Sequence, residues 1–141
     1  MSTMRRMKAL LVSPDARTRE LMALVVRSIE RRVGAPIEFL EASDGVAGIR
    51  RARREHPDVI VADEIASRAG AFALAMDLRN DDHPFPGAIV VLLDRPQDAW
   101  LAKWSGADAW FVKPVDPFAI ADRILELVEG IERSTAAAEP A

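Results

Sequence analysis

Four carboxylates and one amine stand where apolar runs give way to polar chain. Asp15 follows Ala9-Leu10-Leu11-Val12, Asp63 and Glu64 follow Val59-Ile60-Val61-Ala62, Asp94 follows Ala88-Ile89-Val90-Val91-Leu92-Leu93, and Lys113 follows Ala109-Trp110-Phe111-Val112. Carboxylate oxygens suit hard cations, and an amine among them can pair with a carboxylate or contact an anion. Other chemistry is scarce. The chain has no cysteine, which excludes disulfides, Cys zinc sites and thiol nucleophiles. His56 and His83 each precede proline, and neither has a metal-ligand partner at a suitable spacing. There is no Gly-rich phosphate loop, nucleophile elbow or paired-carboxylate motif.

The elements that must position these groups can be read from the same runs. The first run meets a helix start at Ser13-Pro14-Asp15. Ser13 suits the N-cap, Pro14 the first helical position, and Asp15 the positive end of the helix dipole. Leu21, Val25 and Ile29 then give one apolar face to a helix that fades near Gly34-Ala35-Pro36. Ile37-Glu38-Phe39-Leu40-Glu41-Ala42 is mixed enough for a sheet edge, Ser43-Asp44-Gly45 closes it, and a second helix over residues 46–55 ends at His56-Pro57. The run before Asp63 is almost wholly apolar, as in the centre of a parallel sheet. Phe72, Ala75 and Leu78 mark a third helix, residues 80–87 a loop, and residues 96–105 a fourth helix closed by Gly106. Phe118, Ala121, Leu125 and Val128 mark the last helix, and residues 134–141 read as a frayed tail. The expected organisation is a flexible arm over residues 1–6, one domain over 7–130, and a helix end with a disordered tail over 131–141.

Five strands alternating with five helices imply right-handed βαβ units and an α/β, doubly wound parallel sheet. Ligands of such sheets bind outside the carboxyl ends of the strands, where strand order reverses. The four carboxylates and Lys113 fall there. At 141 residues, 50% hydrophobic and 29% charged, the chain suits a single soluble core. No apolar run approaches the roughly 20 residues of a membrane span, and the opening residues lack the apolar stretch of a signal peptide, so a cytoplasmic location without membrane contact is expected. A net charge of −3 gives no broad attraction to nucleic acid.

Three strings carry a family resemblance: Pro57-Asp58-Val59-Ile60-Val61-Ala62-Asp63, Glu41-Ala42-Ser43-Asp44-Gly45, and Gly106-Ala107-Asp108 through Lys113-Pro114. In this order and spacing the chain resembles the receiver domain of two-component response regulators, from about Met7 to Gly130. The resemblance implies a (βα)5 sheet with the flavodoxin-like strand order 2-1-3-4-5. In that family an acidic pair after the first strand and the aspartate ending the third hold Mg²⁺, and that aspartate takes a phosphoryl group. A Ser or Thr ending the fourth strand and a Lys ending the fifth contact the phosphoryl oxygens. Here Asp63 falls at the acceptor position and Lys113 at the lysine position.

The remaining landmarks depart from the pattern. Ser13 and Pro14 stand where the acidic pair is expected, and Asp15 comes one residue late. Leu93 replaces the hydroxyl residue, the loop from there to Gly106 is shorter than usual, and Asp94 can lie nearby by a small change of register. Ser67 and Ala71 replace the proline and glycine after the acceptor. In one reading Asp15 or Asp94 joins Asp63 as a metal ligand and Asp63 is phosphorylated by a histidine kinase or phosphotransfer protein. In the favoured reading Mg²⁺ binding is weak and Asp63 pairs with Lys113, giving a degenerate receiver, not an enzyme, that acts by protein–protein contact. Losing the metal removes the main electrostatic stabilisation of the transfer.

The other expectations concern surfaces. Trp110 falls at the family position of an aromatic whose rotamer reports phosphorylation, and Trp100 and Trp104, four apart, share a helix face. They read as core residues or, preferred here, as a patch on the fourth helix, fifth strand and fifth helix that receivers use for dimers and partners. Arg50, Arg51, Arg53 and Arg54 read as the solvated side of the second helix rather than a nucleic-acid surface. Output is expected through a signalling partner: a histidine kinase, a phosphotransfer protein or a downstream effector. A small-molecule enzyme is the weaker class, since a flavin-type binder would need a hydroxyl- and Gly-rich loop where Ser13-Pro14-Asp15 stands.

Overall fold

The computed structural model describes residues 6–64 and 70–138, with side chains described through residue 131. Within them, five strands form one parallel sheet in the order β2-β1-β3-β4-β5: β1 Met7–Val12, β2 Ile37–Ala42, β3 Val59–Asp63, β4 Ala88–Leu93 and β5 Ala109–Val112. Every residue of β3 and β4 is buried, which is why their sequences are continuous apolar runs, whereas β2 and β5 at the edges are mixed.

Because successive strand residues point to opposite faces, the sheet separates two apolar layers. Ala9, Leu11, Val61, Val90 and Leu92 pack under α1 (Ala16–Arg27) and α6 (Pro117–Ala138), against Met22, Val26, Ile29, Ile120 and Ile124. Leu10, Ile60, Ala62, Val91 and Leu93 pack under α3 (Gly45–Glu55), α4 (Ala71–Arg79) and α5 (Ala99–Trp104), against Ala52, Leu74, Leu78 and Ala102.

Several helix details differ from expectation. α1 begins at Ala16 with Asp15 as its N-cap, its carboxylate accepting from Arg17 N at 3.0 Å, so neither Ser13 nor Pro14 has its expected role. Ser13 N donates to Ala42 O at 3.1 Å, which extends the β1–β2 ladder by one residue and keeps Ser13 in the sheet. The buried face of α1 is Met22 and Val26, continued by Ile29; Leu21 is exposed and Val25 half-buried. Both spacings fit a helical face, and the apolar Leu21 and Leu24 on the solvent side blurred the choice. A break at Ser28 sets off the short α2 (Glu30–Val33), which Gly34 ends in the left-handed region at φ 75°. The fourth expected helix is a 3-10 turn, Pro96–Asp98, followed by α5. α6 runs through Ala138, so residues 134–138 are helical rather than tail, and the exposed Phe118 lies outside its buried stripe of Ile120, Ile124 and Val128. The expected arm at residues 1–5 and the last three residues lie outside the described residues.

Candidate functional site

The site lies at the carboxyl ends of β1, β3, β4 and β5, where strand order reverses around β1 and β3. Register brings its parts together. Asp63 is the last residue of β3 and pairs with Leu92, while Lys113 N, just past β5, donates to Leu93 O at 2.8 Å. The Lys113 ammonium contacts Asp63 Oδ1 at 2.5 Å and Asp94 Oδ1 at 2.9 Å. Ser13 Oγ donates to the other Asp63 oxygen, Oδ2, at 3.1 Å, and itself accepts from Asp15 N at 3.1 Å. Both carboxylate oxygens of Asp63 are therefore engaged, one by a cation and one by a hydroxyl. The Asp63 side chain is 0% exposed, Lys113 26% and Asp94 54%. The buried charge has a direct partner, as burial demands.

Burial lowers the pKa of Lys113, and the hydrogen bonds to and charges of Asp63 and Asp94 outweigh it, holding the amine above its ordinary 10.5. The lysine is a cation under all ordinary conditions. Glu64 turns the other way. Its Oε2 accepts from Phe72 N at 3.0 Å, so it caps the start of α4 instead of facing Lys113. Burial raises its pKa above 4.5; the Phe72 and Ala71 amides oppose that rise, and the charges of Asp98 and Asp63 add to it.

This donor set does not fit a divalent cation. Magnesium asks for oxygen ligands in octahedral array, several of them water, around one or two carboxylates free to face it. Here Asp63 and Asp94 share Lys113, Glu64 caps α4, and Asp15 accepts from Arg17 N and from Thr18 Oγ1 at 3.1 Å. Among the described residues no three His, Cys, Asp or Glu side chains are grouped to hold a metal ion. The expected pairing of Asp15 with Asp63 as ligands is thus not assembled, because Asp15 is spent on the helix terminus. Asp94, by contrast, does come to the site.

Leu93 is fully buried in the layer facing α3, α4 and α5, and the half-buried Trp110 packs against that same layer. Trp100 and Trp104 are 65% and 68% exposed on α5, and Trp110 is half-buried. A cleft of about 320 Å³ between α1 and the β5–α6 junction is lined by Met22, Val25, Val61, Leu92, Lys113 and Pro117 among others; its walls are almost wholly apolar and add no further charge near Asp63. The Arg run on α3 is partly neutralised, since Arg53 pairs with Asp77 and Asp81, both at 3.4 Å, and Arg54 lies 3.6 Å from Glu55. Ser67 lies outside the described residues, and Ala71 opens α4. Among the described residues no helix is long and apolar enough to cross a membrane.

Sequence reasoning missed Ser13 as a site residue. Its position directly after β1, opposite the strand that ends in Asp63, was the available signal; its suitability as a helix cap concealed it.

No protein-family model matches the chain. An uncharacterized response regulatory protein of Mycobacterium tuberculosis is 31% identical over 125 residues, covering 86% of this chain and 91% of that protein. Among solved structures, the signal receiver domain of a signal transduction histidine kinase from Syntrophus aciditrophicus superposes with a TM-score of 0.74 at 20% identity, covering 89% of this chain and 92% of that one. The receiver domain of a sensor histidine kinase from Pseudomonas aeruginosa, solved with a magnesium ion coordinated in its active-site cleft, gives a TM-score of 0.74 at 16% identity over 89% and 99%. The strand order agrees with these likenesses, and the chain belongs to the response regulator receiver family of two-component signal transduction.

Proposed function

We propose that this receiver is degenerate: it acts by protein–protein contact as a signalling adaptor rather than an enzyme, in the cytoplasm, with Mg²⁺-dependent phosphorylation of Asp63 impaired or absent. The observation that carries this is the occupation of both Asp63 oxygens, by Lys113 and Ser13, with Asp94 also on Lys113. A phosphoryl donor brings negative charge to a carboxylate. Without a divalent cation to offset it, the transfer forgoes an electrostatic contribution of about several kcal/mol. Partners of this kind of domain are histidine kinases, phosphotransfer proteins and downstream effectors, and the exposed Trp100 and Trp104 make the face of α5, β5 and α6 the preferred contact, including with a second copy.

The test is incubation with Mg²⁺ and acetyl phosphate, or with beryllofluoride, followed by intact mass and tryptophan fluorescence. No adduct and no fluorescence change are expected. A stable adduct on Asp63 that Asp63→Asn abolishes would instead establish the second reading, a phosphorylatable response regulator receiver. That alternative is favoured by one feature, the retained contact between the acceptor-position aspartate and its lysine.

A further inference from the structure

Lys113 holds one more carboxylate than pairing with Asp63 requires. Its ammonium lies 2.5 Å from Asp63 Oδ1 and 2.9 Å from Asp94 Oδ1, so one amine ties the end of β3 to the loop that leaves β4. The backbone makes this contact a matter of register. Lys113 N is fixed on Leu93 O at 2.8 Å, which sets Asp94 beside it on the neighbouring chain segment. The Leu93 side chain points into the core and offers the Lys113 ammonium no polar atom. Asp94 opens a short loop in which Arg95 pairs with Asp98 at 3.0 Å, and the 3-10 turn Pro96–Asp98 leads without interruption into α5, the helix that exposes Trp100 and Trp104.

We propose that Asp94 is an internal anion that takes the place of an incoming phosphoryl group on Lys113, and that this tie sets the position of the β4–α5 loop and of the tryptophan-bearing helix behind it. In a receiver that uses one, a phosphoryl group on the aspartate ending the third strand supplies the lysine with an anionic oxygen. Here it is covalently part of the loop, so the loop is drawn to Lys113 at all times. Asp94 is a positioning residue in this scheme and takes part in no transfer. This role rests on the reading that Asp63 goes unphosphorylated, since a phosphoryl group on Asp63 would compete with Asp94 for the same ammonium.

The experiment is hydrogen exchange on the full chain, with Asp94→Ala and Asp94→Asn compared with the wild type at low and high salt. Asp94 is more than half exposed, so the tie has the strength of a surface pair, and losing it speeds exchange of amides over residues 95–105 about two- to fivefold. High salt produces a larger rise in the wild type than in the variants, where the Asp94 tie is already gone and the Arg95–Asp98 pair remains to be screened. Amides of β1 and β3 keep their wild-type rates in every case. The indole N–H resonances of Trp100 and Trp104, assigned by Trp→Phe substitution, move with the loop. Unchanged exchange over residues 95–105 in both variants, or a rise shared equally by β1 and β3, would overturn the proposal. A beryllofluoride arm on the wild type separates the two levels of inference. An adduct on Asp63 removes the reading beneath the proposal, whereas no adduct together with an unresponsive loop removes the proposal alone.

Discussion

Replacing Lys113 with methionine deletes the charge and keeps an apolar chain of similar reach, so it isolates what the ammonium does for Asp63. The Asp63 side chain is wholly buried and Lys113 only about a quarter exposed. Removing one partner of a buried pair costs about 3–5 kcal/mol, because the remaining charge is left uncompensated. Two features reduce the figure here. Ser13 Oγ still donates to Asp63 Oδ2 at 3.1 Å, and the opening through which Lys113 reaches solvent admits water. The expected loss is about 2–3 kcal/mol. Asp63→Asn is the opposite case. The amide oxygen still accepts from Lys113, Lys113 keeps Asp94, and the Ser13 hydroxyl can turn to accept from the new amide N–H, so the loss is about 1 kcal/mol or less. For a chain of this size about 1 kcal/mol corresponds to roughly 3–4 °C in Tm, so Lys113→Met lowers Tm by about 6–12 °C and Asp63→Asn by about 4 °C at most. The double variant, with neither charge, recovers most of the difference. Thermal and urea unfolding near neutral pH at low salt, with unchanged m values, provide the measurement. If Lys113→Met costs no more than Asp63→Asn, or if the double variant loses the sum of the two, Asp63 is not a buried charge held by Lys113 and the account of the site fails.

Glu64→Gln tests the half-buried carboxylate beside the site. The folded-state pKa lies above 4.5, so the stability gained from the proton is complete below about pH 4.5 and is lost as pH rises through the folded value; the stability of Glu64→Gln relative to wild type therefore increases as pH rises from about 4.5, and a flat or opposite trend in urea midpoints would count against the burial of Glu64. Arg79→Ala removes donors to Gly106 O at 3.0 Å, Phe85 O at 2.7 Å, Gly87 O at 3.1 Å and Asp108 Oδ2 at 2.6 Å, leaving part-buried acceptors bare at a cost of about 2–4 kcal/mol in urea unfolding. Trp104→Ala changes stability by about 0.5 kcal/mol or less because the ring is mostly exposed, while weakening self-association or partner binding by sedimentation or titration; a large loss of stability with unchanged association would place that ring in the core.

The sheet was legible because burial on both faces leaves little choice of residue. Val59-Ile60-Val61-Ala62 and the run from Ala88 to Leu93 could only be interior strands, and the residues ending them could only lie at the carboxyl edge. Direction of side chains was not legible. Ser13, Pro14 and Asp15 were equally suited to a helix start, and the deciding fact, the ladder bond from Ser13 N to Ala42 O, joins residues far apart in the chain. That single bond moves the helix start to Ala16, turns the Asp15 carboxylate onto α1 and leaves the Ser13 hydroxyl facing Asp63. The α1 stripe failed for a related reason: a helix with apolar residues on its outer face offers two spacings that fit, and packing against the sheet, which the sequence does not display, selects one.

The two departures from the family pattern support each other electrostatically. A serine at position 13 supplies Asp63 with a hydrogen bond and no charge, so the buried carboxylate can be balanced by one ammonium, whereas a further carboxylate there would have left an excess of negative charge that a divalent cation would have to meet. Asp94 then adds back one negative charge, but at a half-exposed position where solvent shares the cost. The ammonium is thereby held between two carboxylates. A metal on Asp63 Oδ2 would displace the Ser13 hydroxyl and set its charge beside the ammonium held on Oδ1. Substituting Ser13 by aspartate alone should accordingly destabilise the site rather than restore metal binding, unless Asp94 is neutralised with it.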